Sequence, residues 1–283
     1  MFDELRRRRQ QRRQAGAARR SEPWGRQRLL VMLASAGLAI VLLVAGLGLF
    51  VWYAWSDSRT ETGTESQTQA SVEPPGPVNV RDRIAAAPML SVDREAAFTP
   101  DAALESAGSI RVPQARIDLG PADVPSRFPR TPEGAVGQLA AIERVVLESM
   151  SLPAAREVHQ AWVRPGGPSF EQWEMTRSVR VFLTSARQAG TEKDISTLVS
   201  ATPAAAMVKG IDGPSWTVVC VLMDVRAAIA VEARMGYGHC ARMEWIDRRW
   251  QIGAGAVPAL APSTWPGSRL AVQAGWLTWI ERG

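Results

Sequence analysis

The residues best suited to chemistry are few. His239 lies on a β-rich stretch with Asp224 and Glu232 nearby in the sequence, and an imidazole beside a carboxylate is the usual acid/base pair. A lone histidine on a strand is more often packed or solvated, so these three residues are assigned no catalytic role. A metal centre is not expected either, because His159 and His239 are the only histidines and no C-x-x-C or H-x-x-E-H spacing occurs. P-loop, G-x-S-x-G and G-x-G-x-x-G patterns are also missing. The chain is therefore expected to be no enzyme and to carry no cofactor.

Cys220 and Cys240 are the only cysteines. If the turn between their two strands centres on residue 230, Cys220 stands directly across from Cys240 and Val218 across from Arg242. Directly opposed strand residues lie within disulfide reach, so a cross-strand bridge is expected.

The elements that position these residues fall into two runs. Thr131-Pro132-Glu133 is a helix start, with a hydroxyl cap, a proline at the first turn and a carboxylate at the positive end. Val136, Leu139, Ile142, Val146 and Met150 recur every three or four residues, giving one buried face. A second helix is predicted over Pro153–Val163. A third is predicted from the S-x-x-Q box of Ser169 and Gln172 to Gly190. Strands are predicted over Ile195–Lys209, Trp216–Ile229, Arg234–Ile246 and Arg249–Gly253. The turn at Asp247 and Arg248 sets Trp245 against Trp250 and Met243 against Ile252 on the core face. A Pro/Gly stretch, Pro258–Gly267, leads to a last amphipathic piece, Leu270–Ile280. Helices followed by a curved antiparallel sheet make an α+β domain over 128–283.

The rest of the chain is of another character. Residues 1–28 hold ten arginines against Asp3, Glu4 and Glu22, a net of +7 within a chain of +5, so the remainder is about −2. The basic balance belongs to a tail and not to the domain, which argues against sequence-specific nucleic-acid binding. Leu29–Trp55 is 27 residues without a charge, longer than the roughly 20 a membrane-spanning helix needs. Trp52, Tyr53 and Trp55 suit the far interface, and the arginines suit the cytoplasmic side, so a single-pass anchor with the C-terminal domain outside is expected. Arg6, Arg7, Arg8, Arg9, Arg12 and Arg13 are candidates for anionic lipid contact. Ala34, Gly37, Val41, Ala45 and Gly48 form a narrow face of mostly small residues where helices could associate into a homo-oligomer. Residues 56–127 read as a Pro/Ser/Thr-rich stalk and extended arm.

The segments Phe128-Pro-Arg-Thr-Pro-Glu-Gly-Ala135, Trp216 to Cys220, Cys240-Ala-Arg-Met243 and Ala261-Pro-Ser-Thr-Trp-Pro-Gly267 resemble a membrane-protein family of actinobacterial conjugative elements. That family is similar to the conjugal transfer protein TcpC and to the bitopic assembly component of type IV secretion channels. The resemblance covers roughly Phe128 to Gly267. It implies a nuclear-transport-factor-2-like fold of three helices on about four antiparallel strands. It further implies a non-enzymatic scaffold that contacts other transfer-channel proteins. Proteins like TcpC commonly carry two such domains, whereas this chain has one clear copy. A lipid or cell-wall ligand carrier is the alternative expectation.

Overall fold

The computed structural model describes residues 79–103, 108–228 and 232–282. Asn79 caps helix α1 (Val80–Ala86), its side chain accepting from the Arg81 amide. After a 3-10 turn at Arg94–Ala97, strand β1 (Ser109–Pro113) turns Ile110 and Val112 inward and leaves Ser109 and Arg111 exposed. Helix α2 (Pro132–Ser149) begins as its sequence requires, with Thr131 Oγ1 accepting from the Gly134 amide at 3.1 Å. It ends where Met150 adopts a left-handed backbone. Ser151 caps helix α3 (Leu152–Trp162) in the same way.

Ser169 does accept from the Gln172 amide, at 3.3 Å, but this bond closes a turn. Helix α4 (Glu174–Ser185) starts beyond it and stops before Gly190, at the left-handed Arg187.

The second run supplies β2 (Leu198–Ile211), β3 (Trp216–Ala228), β4 (Glu232–Ile246), β5 (Arg249–Ile252), a short helix α5 (Arg269–Gln273) and β6 (Leu277–Arg282). Cys220 faces Cys240 and Val218 faces Arg242 across β3 and β4. Met243 faces Ile252 and Trp245 faces Trp250 across β4 and β5.

The architecture departs from the expected nuclear-transport-factor-2-like arrangement. It is α+β, but among the described residues it has five helices and one curled, mixed sheet of six strands in the order β1-β6-β2-β3-β4-β5. The two added strands, β1 and β6, run parallel to each other, with Ile110 beside Trp279. The stretch Leu270–Ile280 is thus not one amphipathic helix. Gly275, at φ 90°, ends the helical turn, and the chain leaves it as a strand. Among the described residues no helix is long and apolar enough to cross a membrane. The transmembrane helix expected at Leu29–Trp55 lies outside them, with its interface residues, association face and arginine tail.

Packing explains why the sheet forms. From Trp216 to Met223 every β3 residue is buried, so this strand meets water on neither face. On the inner face Val219, Val221 and Met223 join Leu139, Ile142 and Val146 of α2 in the main core. On the outer face Cys220, Leu222 and Cys240 pack with Ala271, Trp276 and Met89. The outer cover therefore comes from residues flanking the sheet at both ends of the described chain. It sits close: Thr264 O lies 1.9 Å from where a Cβ on Gly236 would be, so only glycine fits there.

A disulfide joins Cys220 and Cys240, whose Cα atoms are 4.0 Å apart. Linking residues 20 apart in sequence restricts the unfolded chain by about 3 kcal/mol in the loop-entropy view. Replacing both cysteines with alanine is expected to lower the unfolding free energy by about that amount in urea titrations. A loss below about 1 kcal/mol would show that the buried hairpin is held by packing alone.

Candidate functional site

His239 is drawn into a cluster other than the one its neighbours in sequence suggest. Asp224 is occupied by Arg234, at 2.7 and 2.8 Å, and by Arg226 at 3.3 Å. Glu232 lies 3.8 Å from Arg226. The carboxylates that reach His239 come from the helices. Its Nδ1 is hydrogen-bonded to Glu143 Oε1 of α2 at 2.8 Å, and its Nε2 stands 3.8 Å from Glu174 Oε2 of α4. Tyr237, two residues along β4 and on the same face, donates to Glu174 Oε1 at 3.3 Å and accepts from Ser178 Oγ at 3.1 Å. The Tyr237 and His239 rings stack at 6.4 Å.

Glu143 is not among the residues singled out from the sequence, although its place on the helix carries a signal. It lies four residues after Leu139 and three before Val146, on the stripe that α2 buries, where a carboxylate is out of place unless paired. No local pattern could assign it His239 as partner, 96 residues on.

The electrostatics follow from enclosure. Glu143 is fully buried, and its Oε2 has no hydrogen-bond partner among the described residues. Burial raises its pKa to about 7 against the opposing pull of His239, because an ionised oxygen with no donor is costly there. Burial works against a charged His239, yet Glu174 and the bond and charge of Glu143 raise its pKa overall. Burial, then the charge of Glu174, pushes Tyr237 well above the ordinary tyrosine value. The cluster can hold and share protons at neutral pH. The cleft touching it, bounded by Trp173, Glu174 and His239, has a volume of ≈ 20 Å³, about enough for one water.

His159, the other histidine, is structural. Its Nε2 lies 2.9 Å from the Pro168 carbonyl and its ring meets Phe170 and Trp173 edge-on. Among the described residues no group of three His, Cys, Asp or Glu side chains could hold a metal ion. The disulfide pair is the one predicted site on the described residues that the fold brings together; it belongs to the sheet and not to this cluster.

No family model matches the chain, and no curated protein or solved structure matches it.

The pH dependence of stability has a definite sign. Glu143 and His239 both hold protons more tightly in the folded state, so folding takes up protons. The Glu143 contribution is full below pH 4.5 and is lost as pH rises through about 7. The wild type is therefore expected to lose thermal midpoint between pH 5 and pH 7, and Glu143→Gln to lose less. Equal slopes in the two proteins, measured across that window, would remove the cluster as the cause.

Proposed function

We propose that this chain is a non-enzymatic scaffold subunit of a conjugative, type IV secretion-like DNA-transfer channel. It sits at the cell membrane with its folded domain outside and works through contacts with other channel proteins and with copies of itself. The observation that carries this reading is how fully the inner face of the sheet is filled. Helices α2 to α4 occupy it, and the cleft beside the proton-holding cluster has ≈ 20 Å³, too little for a drug-sized ligand at that point. A filled inner face supports a role carried by the outer surface of the domain.

Two further features agree with this reading. A structural disulfide suits an oxidising compartment outside the cytoplasm. Ile195, just before β2, is 100% exposed and Leu198, its first residue, is 71% exposed, which offers an apolar surface to a partner. The resemblance across Phe128 to Gly267 supplies the kind of assembly.

The test is genetic and structural together. Deletion of the gene is expected to abolish DNA transfer, and a chain with His239→Gln to restore it. A chain with Ile195→Asp and Leu198→Asp should fold yet restore transfer at least about tenfold less well, as expected for loss of an apolar contact. A photo-cross-linker at position 195 of the full chain should give discrete adducts. A monomer without adducts that co-purifies with a lipid or cell-wall fragment would replace the scaffold with the carrier.

A further inference from the structure

A second concave region lies away from the histidine cluster. It is an open groove of ≈ 490 Å³ lined by Arg116, Arg127, Arg130 and Arg248 around Trp245, with Ile117 on its wall. Arg116, Arg127, Arg130 and Arg248 are exposed, and none lies within 4.0 Å of a carboxylate among the described residues. Residues 79–283 carry 22 basic and 21 acidic side chains, so the positive charge here is local to the groove.

The groove is built and not incidental. Residues 116–127 fold back on themselves, with Ile117 and Ser126 exchanging backbone bonds at 3.1 and 2.8 Å. Arg130 is held by the Pro214 carbonyl and Ser215 Oγ. Trp245 is fixed edge-on against Trp250, ring centroids 5.4 Å apart. Arg127 (φ 65°) and Arg248 (φ 63°) both occupy the left-handed region, where glycine or asparagine is easier for the chain.

We propose that this groove docks the domain onto the surface of an anionic phospholipid bilayer. The forks of Arg116, Arg127 and Arg248, which carry no bond to a carboxylate among the described residues, match lipid phosphates in pairs of bonds, and the half-buried Trp245 beside them is the amphipathic ring type that suits the headgroup region. The exposed apolar side chains decide between polyanions. Ile117 is 40% exposed and Leu119, two residues on, is 74% exposed; both gain from a lipid interface and nothing from a nucleic-acid backbone. Single strands also need a succession of stacking rings, whereas Phe128 in this groove is only 7% exposed and Trp245 stands alone. The inference needs a membrane within reach and does not depend on the channel reading.

The test uses hydrogen exchange on the full chain with phosphatidylglycerol vesicles, read on peptides spanning 116–130 and 244–249. A local readout separates this surface from the arginine tail. Both peptides are expected to be protected at low salt and released at high salt, with no protection from phosphatidylcholine vesicles. In Arg127→Gly with Arg248→Gly, the lipid concentration for half-protection should rise on the order of thirtyfold. The thermal midpoint of that variant should not fall, since glycine eases both backbones, so misfolding cannot imitate the loss. No protection by phosphatidylglycerol, equal protection by phosphatidylcholine, or protection retained in the variant would overturn the proposal. So would equal protection by a single-stranded oligonucleotide at matched phosphate, which would assign the groove to nucleic acid.

Discussion

The domain depends on β3 having no wet face. Eight consecutive residues, Trp216 to Met223, are buried, so the strand requires a cover on each side before it is stable. Fully burying side chains of this size is worth about 1.5–3 kcal/mol each, so both covers are held firmly. The inner cover, α2 to α4, is continuous in sequence. The outer one is assembled from α1 and Met89 at one end of the described chain and from Ala261, Ala271 and Trp276 at the other. Joining distant segments in this way is what makes residues 79–282 one folded unit, with residues 79–127 supplying a helix and an edge strand to it.

Indole groups fasten the connecting loops to these layers. Trp162 donates to the Pro121 carbonyl at 3.0 Å, Trp250 to that of Pro129 at 2.9 Å, and Trp276 to that of Pro262 at 3.0 Å. Each buries a large ring while satisfying its one N–H, and each pins a backbone stretch that forms little regular structure. Inside the main core the polar cluster acts in the opposite sense. Glu143 and Glu174 approach one imidazole from two helices, and the inner face must accept the desolvation that this entails. The arrangement ties α2 and α4 to β4 through bonds whose strength varies with pH.

Local chemistry was legible in the sequence and long-range pairing was not. The Thr131 cap, the register of Cys220 with Cys240 and the two-residue turn at Asp247 follow from contacts within about 20 residues, and all are found. Strand β1 is five residues long and pairs with β6 more than 160 positions away, so neither length nor spacing announces it. The β-form of β6 was hidden by Leu270, Trp276 and Trp279, which fit a helical stripe until Gly275 interrupts it. His239 was recognisable as a chemical group, but its partners sit on α2 and α4, and only the fold brings them to it.

The same fastening makes one end of the sheet rigid. Trp250 binds the Pro129 carbonyl, Arg130 binds the loop between β2 and β3, and the Trp245 amide donates to the Ser215 carbonyl of that loop at 2.8 Å. Three separate stretches of chain thus meet through bonds that do not involve the arginines' remaining donors. Arg116, Arg127 and Arg248 project from a frame that has already lost its backbone entropy to folding. A partner that binds there meets charges whose supporting backbone is already set, and that preorganisation favours association at a surface over capture in an interior the helices have filled.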